Sequence, residues 1–96
     1  MRRGYNWLMD VVERKLNGRG AWIKGLEVVV RRVPHDKVRV YIIYESARGE
    51  FSSEEPFYLE PKEFNEFKRR MMKLGFRITN VEVGKLVVVF RMVRGD

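Results

Sequence analysis

Between Asn17 and Gly25 the chain reads NGRGAWIKG, and three of those nine residues carry chemistry: Arg19, Trp22 and Lys24. A tryptophan between two cations is a surface on which a nucleic-acid base stacks while the cations hold phosphates. The same letters also spell a helix stop followed by a core tryptophan at the mouth of a strand. Arg31, Arg39 and Arg91 recur with Tyr41 among aliphatic residues, and Tyr5 and Trp7 stand near the N-terminus. Arginine outnumbers lysine thirteen to seven. Its planar fork stacks on rings and grips phosphate in two places, which suits nucleic acid or a buried interface better than plain solubility.

Other chemistries find little support. Cysteine is absent, so disulfides, thiolate metal sites and thiol nucleophiles are excluded together. His35, the only histidine, stands in the turn PHDK (34–37) and reads as a solvated side chain, not a metal ligand. Ser46, Ser52 and Ser53 have no base near them in the sequence, and the scattered glycines form no phosphate loop. Glu27 and Glu45 with Lys24 are the types a metal-dependent nuclease uses, but their spacing matches no such pattern. The expectation is a protein that is not an enzyme, with no catalytic residue, no metal, no cofactor and no small-molecule substrate.

Charge points to a polyanionic partner. Residues 45–66 hold seven acids against two bases, a local −5; the rest of the chain holds eighteen bases against six acids, or +12. The formal +7 therefore understates the positive field over most of the molecule, and such a field draws in phosphate backbones. A plain alternative is an acidic patch that docks on the basic surface of another subunit.

The 96 residues, 45% of them apolar, suffice for one domain with one core, spanning 1–96. Glutamine is missing, asparagine appears four times and 34% of residues are charged, a thermophile-like composition. The longest apolar run, LVVVF (86–90), is far short of a membrane span, and no signal peptide is visible. A soluble, cytoplasmic protein with no membrane partner is expected.

The elements that must position these residues follow from periodicity. Leu8, Met9, Val12 and Leu16, with Tyr5 one turn earlier, predict a helix over 6–17, capped by Asn6 and stopped at Asn17–Gly18. Runs rich in β-branched residues predict strands over 21–33 and 38–46. Aligning the apolar faces Leu26, Val28, Val30 and Val38, Val40, Ile42, Tyr44 requires an odd loop of three or five residues. Residues 47–60 read as a long acidic loop with a short strand near Phe57–Leu59. Pro61, Glu63 and the stripe Phe64, Phe67, Met71, Leu74 predict a second helix over 61–74, ended by Gly75. Strands over 76–83 and 86–93, turned at Gly84–Lys85, complete the chain, with a bulge near Thr79–Asn80.

The fold expected is α+β: one four-stranded, largely antiparallel sheet in two hairpins, order α-β-β-α-β-β, with both helices on one face. The other face then shows Val29, Arg31, Val33, Arg39, Tyr41, Ile43, Val87, Val89 and Arg91, where a wetted sheet would show Thr, Ser, Lys and Glu. Two uses fit such a face: a contact between subunits, or a groove for a single strand. Trp7, beside the Leu8 stripe, and Trp22, whose even parity matches Leu26 unless Gly25 shifts the register, each fit both core and surface. Gly20 and Gly25 read as bends where another chain approaches closely.

The small basic layout running through WIKGLEVVVRRV and VRVYIIYE, with its arginine-and-aromatic face, resembles the ThermoDBP-related single-stranded DNA-binding proteins of hyperthermophilic archaea. The resemblance implies sequence-tolerant binding of single-stranded DNA and assembly into homo-oligomers. No appended oligomerisation helix follows Val93, so it does not say how copies assemble. An oligomeric protein-interaction module and an RNA-binding factor remain the alternatives. The residues expected to meet nucleic acid are Arg19, Trp22, Lys24, Arg31, Arg39, Tyr41, Arg91, Tyr5 and Trp7.

Overall fold

In the computed structural model, which describes residues 3–16, 22–32, 37–53 and 55–94, the chain forms α1 (Tyr5–Leu16), β1 (Trp22–Arg31), β2 (Lys37–Ser46), β3 (Gly49–Ser52), β4 (Phe57–Leu59), α2 (Pro61–Lys73), β5 (Phe76–Val83) and β6 (Val87–Arg94). The strands make one antiparallel sheet in the order β3-β2-β1-β6-β5, with β4 also paired to β2. The α+β class is as expected, but the sheet has six strands, not four. The stretch read as an acidic loop supplies both extra strands: β3, which was not expected, and β4, which matches the short strand expected near Phe57–Leu59.

The reason lies in pairings too short to leave a period. β3 pairs with residues 43–46 of β2, and β4 pairs with residues 38–40, so the two lie end to end along one edge. Ser53 bridges them: its N–H donates to the Ile42 carbonyl (2.9 Å) and its hydroxyl accepts from the Ile42 N–H (3.0 Å). A side-chain oxygen thus replaces a backbone carbonyl where the strand is interrupted. Pro56 then precludes an unbroken ladder, because it has no N–H to donate. Phe57 and Leu59 turn inward and Tyr58 outward.

The central hairpin follows its pattern. Val28 faces Val40 and Leu26 faces Ile42, and the pairing of Arg31 with Lys37 leaves five residues between them, an odd loop. α2 begins with Pro61 at its first turn, and the Glu60 N–H donates to Glu63 Oε1 (2.8 Å). It ends at Gly75, whose φ of 96° belongs to the left-handed region that glycine favours. α1 starts at Tyr5, with the Gly4 carbonyl accepting from the Leu8 N–H, so Asn6 already lies inside the helix.

Both helices cover one sheet face. Leu8 and Val12 of α1 and Phe67 and Met71 of α2 are fully buried against Leu26, Val28, Val40, Ile42, Phe57 and Met92. Truncating Phe57 or Phe67 to alanine should cost about 3–5 kcal/mol. α2 spans this face, touching β4 and β2 near one edge and β5 at the other. Its Arg70 reaches α1, donating to the Tyr5 hydroxyl (3.3 Å) and pairing with Glu13 (2.7 Å). Among the described residues no helix lies on the opposite sheet face.

Candidate nucleic-acid interface

On the uncovered face three strands run side by side. Gly25, Glu27, Val29 and Arg31 of β1 lie between Ile43, Tyr41, Arg39 and Lys37 of β2 on one side and Val93, Arg91, Val89 and Val87 of β6 on the other. β4 extends this surface with Tyr58 beyond Arg39, and β3 with Ser52 beyond Ile43. Period-2 alternation produces the arrangement: residues that alternate with buried valines and isoleucines must point away from the helices.

Trp22 joins this face through a bulge. The β1–β2 register shifts between Ile23 and Gly25, so Lys24 is an extra residue in β1. The parity of the strand reverses there. Ile23 turns inward at 5% exposure, while Trp22 faces outward opposite Glu45 and stays 48% exposed. Gly25 is needed because a Cβ there would lie 2.7 Å from the Met92 carbonyl oxygen. The close approach read from Gly25 is therefore made by this chain's own β6.

The two ends of the face differ in charge. Around Trp22, Glu45 lies opposite Glu50, and Glu50 pairs with Lys24 at 2.7 Å. The Glu50 hydrogen bond and charge hold the Lys24 ammonium above its usual range, and Lys24 holds the Glu50 carboxyl below its own. Glu27 and Arg91, directly opposed, stand 3.9 Å apart. Ile43 is 5% exposed there, at the floor of a hollow of about 340 Å³ walled by Glu27, Glu50, Ser52 and Arg91. A wider cleft of about 610 Å³ brings Lys15, Lys24 and Arg94 around Trp22.

The other end is cationic. Arg31 sits directly opposite Lys37, Arg39 lies two residues along the same face of β2, and Arg32 follows with its N–H bonded to the Leu86 carbonyl (2.8 Å). Arg31, Lys37 and Arg39 make none of the ion pairs found among the described residues. Like charges directly opposite each other destabilise a sheet. Aromatic rings flank them: the Arg39 guanidinium lies 5.8 Å from the Tyr58 ring centre, and half-buried Tyr41 follows Arg39 two residues along the face.

Of the residues singled out from sequence, Trp22, Arg31, Arg39, Tyr41 and Arg91 come together on this face, with Lys24 at its bulge. Tyr5 does not: it is 6% exposed in the core, with its hydroxyl held by Arg70. Trp7, 46% exposed, belongs to the helix layer, edge-on to Phe57 and under the Arg3 guanidinium. Arg19, Gly20 and Val33 lie outside the described residues. Lys37 and Tyr58 are additions. Lys37 was hidden in the turn PHDK, and Tyr58 needed β4 to show which way it points. Leu86, the expected first residue of the last strand, is instead 55% exposed, because Lys85 and Leu86 form the tip of the last hairpin, closed by the Gly84 N–H on the Val87 carbonyl (2.8 Å).

Among the described residues no three of His, Cys, Asp and Glu come together as a metal site, and no helix is long and apolar enough to cross a membrane. No protein family, curated protein or solved structure matches this chain.

Proposed function

We propose that the uncovered sheet face binds single-stranded nucleic acid with little sequence preference, single-stranded DNA in the first instance. One observation carries this reading: Arg31, Lys37 and Arg39 are set together on an open face, two of them directly opposed, and among the described residues no acid pairs with them. That placement costs sheet stability, so a ligand that supplies the missing negative charge gives it a purpose. Phosphates fit the three cations. Tyr41 and Tyr58 offer rings for the bases, and Val29, Val87 and Val89 give an apolar bed beside them. No base-reading set of side chains is required, which accords with binding through backbone and stacking. This is also the activity that the ThermoDBP-related resemblance implies.

Fluorescence anisotropy with labelled oligo-dT, a mixed-sequence strand, the matching RNA and a duplex tests the proposal. Affinity should be similar for the two DNA strands, weaker for the duplex, and should fall steeply with salt. Equal, weak binding to single and double strands at low salt would falsify it. Stronger binding to the RNA strand would reassign the ligand and keep the site.

A further inference from the structure

The outer strand β5 raises a question separate from the open face. It is paired to β6 on one side, and no strand of the described chain covers its other side. A bare edge offers unpaired backbone N–H and C=O groups to any other strand, and proteins usually blunt it with charge or cover. Here the edge is apolar on its helix side. Ile78 is 38% exposed, Val81 57% and Val83 72%, and Met72 of α2 stands 54% exposed. α2 shields only the start of the strand, where Phe76 is buried.

We propose that β5 is the contact of a homodimer, in which two copies pair this strand antiparallel about a two-fold axis between Thr79 and Asn80. In that register Arg77 faces the partner's Glu82, Ile78 faces the partner's Val81, and Phe76 faces the partner's Val83. Charge complementarity selects a second copy. Arg77 and Glu82 are the charged residues of β5, they lie symmetrically about the axis, and both point to the open-face side, opposite Val93 and Val89. An isologous pairing therefore forms two Arg–Glu pairs at once. The apolar residues collect on the helix side, where Ile78 and Val83 lie opposite Met92 and Val88. The bulge at Asn80, whose φ is 51°, falls at the axis and splits the contact into two identical arms, 76–78 against 81–83. Pairing in this register joins the two uncovered faces into one continuous surface.

Sedimentation velocity over a concentration series tests the interface. The expected species has twice the 11.5 kDa mass of the chain. Arg77→Glu and Glu82→Arg, made singly, each turn two attractive pairs into two repulsive ones and should raise the dimer dissociation constant about tenfold or more. The double variant Arg77→Glu/Glu82→Arg restores both pairs and should dimerise like the parent. Val83→Lys, at a side chain too exposed to matter for the monomer's fold, should weaken the dimer independently, with circular dichroism unchanged. A parent chain that stays monomeric throughout overturns the proposal. So does a mass that the single reversals leave unmoved, or that the double variant fails to restore.

Discussion

The two ends of the uncovered sheet face are built from the same strands and face the same solvent, yet they are charged differently. At the Trp22 end the face's cations on β1 and β6 have each met an acid, Lys24 with Glu50 and Arg91 with Glu27, while Arg77 of β5 stands at the outer margin opposite Val93. At the Tyr58 end Arg31, Lys37 and Arg39 stand without one among the described residues. The acids that make the difference come from β1, β2 and β3, and β3 pairs only with residues 43–46 of β2. The four-residue β3 thus supplies the acid that Lys24 meets and reaches none of the cations at the other end. The lesson is that an exposed aromatic residue marks a binding surface only together with the charge around it. Trp22 is the larger ring, but Tyr41 and Tyr58 have the better electrostatic setting.

The largest test of that contrast removes charge at one end at a time. Arg31→Ala/Lys37→Ala/Arg39→Ala should flatten the salt dependence of single-strand binding by about three units of slope, one for each phosphate contact. Lys24→Ala/Arg91→Ala should change it far less, since those cations are already paired. Equal losses from the two sets would erase the distinction between the ends.

Next in size are the rings. Tyr58→Ala and Tyr41→Ala should each weaken binding by about 1–3 kcal/mol if each stacks one base. Trp22→Ala should cost less than either, and its exposure means that the melting temperature should barely move. Quenching of Trp22 fluorescence on titration, read in a Trp7→Phe background, reports whether a strand extends as far as the neutralised end.

Gly25→Ala sharpens the comparison from the side of stability. Its methyl group would meet the Met92 carbonyl at 2.7 Å, so β1 and β6 must move apart. Chemical denaturation should show a loss of about 1–3 kcal/mol, the range for forced overpacking. The bulge that aims Trp22 outward should be disturbed, while the salt slope set by Arg31, Lys37 and Arg39 should hold.

The smallest effect is a pH response of the Lys24–Glu50 pair. The Glu50 pKa is depressed by Lys24, so the pair's contribution to stability is present above the ordinary carboxylate value and disappears as pH falls through the lowered one. Both groups are exposed, so a melting curve should register little. The released Lys24 should nonetheless add affinity for an anionic strand at low pH. Glu50→Gln should reproduce that gain at neutral pH, with the salt slope steeper by up to about one unit.

Much of this molecule was determined by local sequence. Strict alternation of β-branched residues set which sides of β1 and β2 face the core. The odd spacing between their apolar faces set the hairpin register. The Phe67 and Met71 stripe and the Gly75 stop set α2. These features depend on residues a few positions apart, where period and backbone preference dominate. Tertiary structure decided the rest, because it depends on partners far apart in the chain. Tyr5 continued the α1 stripe by spacing, but only Arg70, 65 residues away, fixed it in the core. β3 exists because β2 offers it an edge, and its own letters carry too little pattern to show it; Phe57–Leu59 could be read as a short strand, but only its pairing with β2 made it part of the sheet. Trp22 faces outward because β6 presses on Gly25 and the bulge reverses parity at Lys24. The ion pair that neutralises Lys24 spans 26 residues. Sequence therefore supplied the arginines and aromatic residues of the open face, and the pairing of distant strands decided which of its cations meet an acid among the described residues.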